Sequence, residues 1–248
     1  MPLGAWIALS EHADGRIPSV SHSAANPVAV FFDLDGTLVD PAGGITGGIA
    51  HALEANGLAV PEESVLSSLV GPPLSMGLRS IAGVPEGQVP AVIESYRGWY
   101  ETHGMAQSTV YPGIPEVLDA LAASGVRVAV TTAKPQALAV RLLSLHGLAA
   151  RFEAIVGTSN NELEAHAASG SKEALVRSAC QLLSVEASRS AVVGDRHFDI
   201  LAAVATGARA IGAGWGFAVG DELLEAGADV VVDSPWHLAH TLLKEDAA

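Results

Sequence analysis

Two carboxylates two residues apart, Asp33 and Asp35, close an apolar run in Phe31-Phe32-Asp33-Leu34-Asp35-Gly36-Thr37-Leu38-Val39-Asp40. Acids placed against such a run are costly unless paired or put to use. Regular strand geometry would send both side chains to one face, and Gly36 lets the chain leave the strand sharply. A calcium loop would need glycine at its sixth position; here glycine stands fourth, so that reading fails. A second acidic pair, Asp195 and Asp199, follows another apolar run in Ala191-Val192-Val193-Gly194-Asp195-Arg196-His197-Phe198-Asp199. Hard divalent cations favour a few carboxylate oxygens completed by phosphate and water, although Asp199 alone would also suit a helix cap. Thr131, with Thr132 beside it, ends a third run, and Lys172 opens a helical stretch in Gly170-Ser171-Lys172-Glu173. Lys134, just past the threonines, is a competing cation.

These residues need a scaffold that gathers strand ends. Short apolar runs of strand length recur at Val28–Leu34, Val126–Thr131, Ala154–Gly157, Ser190–Gly194, Ala208–Gly212 and Asp229–Val232, as expected of strands buried on both faces. Helical patterns separate them at Ile114–Ala123, Pro135–His146, Ser171–Leu183, Asp199–Thr206 and Asp221–Ala226, several closed by glycine. Strands alternating with single helices predict an α/β fold, a doubly wound, Rossmann-like parallel sheet. Ligands of such sheets bind beyond the carboxyl ends of the strands, where Asp33 and Asp195 fall. Between residues 42 and 108 no strand pattern occurs, only helical stretches at Ile45–Asn56, Glu62–Leu69, Leu74–Ile81 and Gln88–His103. The chain therefore divides into a flexible N-terminal extension (1–26), an α/β core (27–41 and 109–248) and an inserted all-helical cap (42–108).

In this order the motifs resemble those of the haloacid dehalogenase superfamily: Asp33-x-Asp35-Gly36-Thr37, the strand-end threonine, the helix-opening lysine and Gly194-Asp195-x-x-x-Asp199. The resemblance runs from about Pro27 to Leu243. It implies that Asp33 attacks phosphorus to form an aspartyl-phosphate, and that Asp35 protonates the leaving oxygen and then activates water. It further implies that Thr131 binds the transferring phosphoryl group, with Gly36 and Thr132 also at the substrate, and that Lys172 steadies Asp33 and the phosphoryl oxygens. The implied cofactor is Mg2+, held by Asp33, the backbone carbonyl of Asp35 and Asp195, with Asp199 bound directly or one shell out. The dehalogenating branch lacks a carboxylate at the second position, so Asp35 favours phosphoryl transfer. Gly71-Pro72-Pro73-Leu74, Ile211–Phe217 and Glu222–Asp229 resemble the phosphoglycolate phosphatase-like branch. Glu173, however, stands where many members with helical caps carry proline, which keeps nucleoside monophosphates and other phosphomonoesters open as substrates. Of the cap's two arginines, Arg79 and Arg97, one is expected at the substrate's anionic end, with Arg79 the candidate.

Composition narrows the partners. With 27 acidic residues against 13 basic, the net charge is −14, which disfavours nucleic acid but permits a small phosphorylated metabolite beside a local cation. One cysteine, Cys180, excludes a disulfide framework. The hydropathic stretch Ile200–Val219 carries Arg209 near its middle and is rich in Ala and Gly, so it is expected to be helix, turn, strand and loop rather than a membrane span. Gly212-x-Gly214-x-Gly216 has Phe217 where a dinucleotide fingerprint needs glycine. His237 and His240 share a helical face without a ligand cluster and read as surface residues. The expectation is a cytoplasmic, Mg2+-dependent phosphatase, monomeric or homodimeric, with no nucleic-acid or membrane partner. A phosphotransferase using the same aspartate is the alternative, and an inactive binding module a third reading.

Overall fold

Among the described residues eight strands form: β1 (Ala29–Phe32), β2 (Val39–Asp40), β3 (Thr109–Val110), β4 (Arg127–Pro135), β5 (Ala154–Thr158), β6 (Ser190–Gly194), β7 (Arg209–Ala213) and β8 (Val230–Val232). The computed structural model describes residues 26–159 and 171–243, so all but Asn26 of the expected N-terminal extension lies outside it. Six strands make one parallel sheet in the order β5-β4-β1-β6-β7-β8. Central β1 aligns Phe32 with Val130 of β4 and with Val193 of β6. From β1 the sheet continues to β4 on one side and to β6 on the other, which opens a crevice at the carboxyl ends of these three strands.

Among the described residues ten α-helices accompany the strands: α1 (Gly44–Ala55), α2 (Glu63–Ser68), α3 (Leu74–Ser80), α4 (Val89–Trp99), α5 (Ile114–Ala123), α6 (Gln136–Leu145), α7 (Lys172–Leu183), α8 (His197–Thr206), α9 (Glu222–Glu225) and α10 (Pro235–Leu242). Strand residues alternate between faces. Val30 and Phe32 pack with Leu118 of α5, Leu142 of α6 and Leu238 of α10. Ala29 and Phe31 pack with Leu175 of α7, Ile200 of α8 and Leu223 of α9. Both faces are thus covered, which is why β1 reads as a continuous apolar run. The stretch Ile200–Val219 divides as expected into the end of α8, a left-handed Gly207, β7 and a loop. Among the described residues no helix is long and apolar enough to cross a membrane.

Helices α1–α4 lie between β2 and β3. These two-residue strands pair antiparallel, Val39 with Val110 and Asp40 with Thr109, and form the base of the insertion. They are too short to leave a periodic pattern, and the sequence reading misses them. The insertion shares its apolar cluster with one sheet face, since Ile49, Leu53 and Tyr100 belong to the same group as Phe32 and Leu38.

Three expected boundaries change. β1 stops at Phe32, before Leu34, because the Leu34 carbonyl turns to accept the amides of Thr37, Leu38 and Val39. β4 runs on to Pro135 through an irregularity between Thr131 and Pro135, a feature hidden by its polar residues. The single helix expected over Gln88–His103 is broken. A 3-10 turn (Glu86–Gln88) precedes α4, and a π turn (Tyr100–Gly104) follows it. Gly104 there lies against the backbone of Gly44, where a Cβ on Gly44 would come within 2.3 Å of the Gly104 carbonyl oxygen. Single π turns of this kind recur at functional sites.

Candidate active site

The acidic motifs converge at the crevice. Asp33 directly follows β1 and Asp195 directly follows β6, while Asp199 lies in the first turn of α8. One carboxylate oxygen from each of Asp33, Asp195 and Asp199 lies within 4.8 Å of the others, and all three residues are buried. Lys172, first residue of α7, places Nζ 2.6 Å from Asp33 Oδ1 and 2.7 Å from Asp199 Oδ1. It also donates to the Thr131 carbonyl at 3.3 Å. Burial alone would lower the Lys172 pKa, but Asp199 and Asp33 outweigh it and hold the ammonium charged. Ser171 caps α7 through its hydroxyl, which accepts the Ala174 amide at 3.2 Å and fixes where Lys172 emerges.

Three carboxylates face one ammonium, an excess of negative charge in a buried place. Burial first, and then the neighbouring Asp33 and Asp199, push the Asp195 carboxyl upward. Burial also pushes Asp199 upward, against the opposing pull of Lys172. An all-oxygen, buried, over-charged cluster of this kind fits a hard divalent cation.

Asp195 is held from several directions. Thr37 Oγ1 donates to its Oδ1 at 3.1 Å, and the Phe217 amide donates to Oδ2 at 2.9 Å. Gly36 sits at φ +88, and a Cβ there would lie 2.2 Å from Asp195 Oδ2. A Cβ on Gly216 would lie 2.3 Å from Asp195 Cβ. Trp215 Nε1 donates to the Thr37 carbonyl at 3.1 Å and ties this loop to the first motif. The glycine-laced loop after β7 is therefore an Asp195 clamp. Its position after the strand next to β6 was the available signal.

Asp35 faces a cavity between the strand ends and the insertion, a space of about 50 Å³. Lys134 Nζ lies 2.7 Å from Asp35 Oδ2 and 4.7 Å from the centre of the Tyr100 ring. Asp35 Oδ1 has no hydrogen-bond partner among the described residues. Both candidate lysines are thus used, on different carboxylates: Lys172 on Asp33 and Asp199, Lys134 on Asp35.

Two sequence expectations need correction. Thr132, not Thr131, lines the cavity; adjacent strand residues point to opposite faces, and Thr131 offers its carbonyl to Lys172 instead. Arg79 does not reach the cavity either. Its guanidinium is engaged by Glu86, at 2.5 and 2.8 Å, and by the Ser75 carbonyl at 3.1 Å. Arg97 lines the cavity, its guanidinium carbon 5.5 Å from the centre of the Tyr96 ring. His237 is exposed and pairs with Asp233, in keeping with a surface role.

A family model described as haloacid dehalogenase-like hydrolase matches residues 30–213. A tyrosine-protein kinase, PtkA, of Mycobacterium tuberculosis is 36% identical over 85% of this chain and 70% of its own. A 5'-nucleotidase of Pseudomonas aeruginosa is 34% identical over 78% of this chain and 86% of its own. A phosphoglycolate phosphatase of Agrobacterium fabrum is 33% identical over 84% of this chain and 88% of its own. Among solved structures, a predicted phosphatase from Clostridium acetobutylicum superimposes with a TM-score of 0.82 at 32% identity, covering 89% of this chain and all of the other.

Proposed function

Because this chain belongs to the family of haloacid dehalogenase-like hydrolases, we propose that it is a cytoplasmic, magnesium-dependent phosphatase that hydrolyses a small phosphomonoester through an aspartyl-phosphate. The observation that carries this reading is the buried set Asp33, Asp195 and Asp199 at the mouth of the sheet, with Lys172 on Asp33 and Asp199. Asp33, Asp195 and Asp199 would hold Mg2+, with the Asp35 carbonyl alongside. When bound, the ion neutralises phosphoryl oxygens and so lowers their repulsion toward a carboxylate.

Asp33 attacks phosphorus, the bond to the ester oxygen breaks, and Asp35 supplies the proton that oxygen takes up. In the second half Asp35 removes a proton from water as it attacks the same phosphorus, which frees phosphate and restores Asp33. The buried Oδ1 of Asp35 has no partner among the described residues, and this unfilled hydrogen-bonding capacity supports the role. Lys172 keeps Asp33 oriented and offsets charge at the phosphoryl oxygens, and Thr132, on the cavity wall, takes the phosphoryl-binding place first assigned to Thr131. We assign the insertion the role of a cap over the site. Arg97 gives the cavity a cation apart from the Lys134–Asp35 pair, which suits a substrate with a second anionic group. Phosphoglycolate and nucleoside monophosphates are the classes to test, given the relatives named for them.

A phosphotransferase is the second reading, favoured by the kinase-named relative at 36% identity. A panel of phosphomonoesters assayed with and without Mg2+ tests both. Hydrolysis predicts Mg2+-dependent free phosphate that falls by about 10³-fold or more in Asp33→Asn, the scale of losing a covalent nucleophile. Phosphate recovered on an added tyrosine peptide or sugar, rather than free, would select transfer. A folded Asp33→Asn with wild-type turnover would end both readings.

A further inference from the structure

One buried cation has no part in that chemistry. Arg196 stands between Asp195 and Asp199 in the sequence and is 8% exposed, and its guanidinium is engaged by the insertion and by α9. Its Nη1 donates to the Val70 carbonyl, and its Nε donates to Glu222 Oε1 at 2.9 Å. The same Glu222 oxygen accepts the His197 amide at 3.0 Å, while Oε2 accepts the Val219 amide at 3.2 Å. Val70, Gly71 and Pro72, in the turn between α2 and α3, form part of the cavity wall. Gly71 lies at φ +111, and a Cβ there would come within 2.8 Å of Arg196 Cγ, so the turn and the arginine stem fit closely. On its backbone side Arg196 donates its amide to Asp199 Oδ2 at 3.3 Å and accepts the Asp199 amide at 3.0 Å.

One residue therefore joins the carboxylate cluster, through its backbone, to the insertion's share of the cavity wall, through its side chain. A buried guanidinium is expensive to desolvate. An apolar residue of equal volume could fill the space, but it lacks the fork needed to hold a carbonyl and a carboxylate together. We infer that Arg196 is a positioning residue that clamps the α2–α3 turn over the cavity and thereby sets affinity for the organic part of the substrate. This inference rests on the phosphatase reading for its kinetic consequence only.

The test uses the full chain and the variants Arg196→Met, Arg196→Lys and Glu222→Gln. Steady-state kinetics on phosphoglycolate or p-nitrophenyl phosphate, whichever turns over, is paired with amide hydrogen exchange over residues 66–74 in substrate-free protein. In Arg196→Met, KM is expected to rise about tenfold, the scale of one charge-assisted hydrogen bond, with kcat changing far less. Exchange over residues 66–74 should quicken. Arg196→Lys should fall between wild type and Arg196→Met, because an ammonium can hold one of the two oxygens. Should Arg196→Met fail to fold, Glu222→Gln loosens the same fork from the other side and should quicken exchange in the same segment. A loss confined to kcat, or unchanged exchange over residues 66–74, would overturn the inference. Because exchange needs no turnover, an inactive wild type would count against the phosphatase reading while leaving the clamp testable.

Discussion

At the level of single residues, function follows from where charge is buried. Asp195 and Asp199 gain little by facing Asp33 without a metal ion, since burial and the neighbouring carboxylates oppose their ionisation. A divalent ion should therefore stabilise the folded protein by mass action as well as serve catalysis. Mg2+ in the millimolar range is expected to raise the melting temperature of chelator-treated protein by several degrees, a shift of about 1–2 kcal/mol. Asp195→Asn should abolish that rise along with activity. An equal shift in the variant would remove Asp195 from the metal site. Much at this scale was legible in the sequence, because Asp33, Asp35, Asp195 and Asp199 sit at strand ends with spacings that few other structures need. Thr131 and Thr132 were not separable that way. Choosing between adjacent strand residues requires the register of β4 against its neighbours, and β4 is irregular between Thr131 and Pro135. Arg79 was misplaced for a similar reason, since its partner Glu86 is set by the turn after α3.

At the level of elements, the parallel strands and their covering helices follow from apolar run length and glycine stops, so most boundaries fall within two residues of expectation. Elements defined by tertiary contact escaped notice: the β2–β3 ribbon, the π turn at Tyr100–Gly104 and the loop that embraces Asp195. Glu222 shows how a single side chain secures one element to another. From the first turn of α9 it accepts both the amide and the ring of His197 at the start of α8, together with Arg196. Burial would raise its pKa, but these hydrogen bonds outweigh burial and hold it at about 2. A carboxylate depressed from 4.5 stabilises the fold above that pH and loses its contribution as pH falls toward 2. Glu222→Gln should therefore cost on the order of 1 kcal/mol near neutrality, after allowance for partial solvent exposure. The gap to wild type should narrow steadily below about pH 4.5 in denaturant melts. A gap that stays constant down to pH 3 would show that the charge on Glu222 is not what ties α9 to α8.

The whole molecule reconciles a charge of −14 with a phosphorylated substrate. Long polyanions are repelled by the surface, while Lys172, Lys134, Arg97 and a cation held at the acidic cluster would make one small region receptive. The cavity of about 50 Å³ has room for a few waters, and Arg97 and Lys134 both lie on its wall. Everything turns on Asp33 becoming phosphorylated. Asp35→Asn, which should slow the release of phosphate, is mixed with Mg2+ and p-nitrophenyl phosphate, whose leaving oxygen departs without a proton from Asp35, then quenched in acid. Borohydride reduction and peptide mass spectrometry follow. An acyl-phosphate is reduced to an alcohol, so homoserine at position 33, dependent on substrate, is the result expected. Turnover by the wild type with aspartate unaltered at position 33 and homoserine at another aspartate would contradict it.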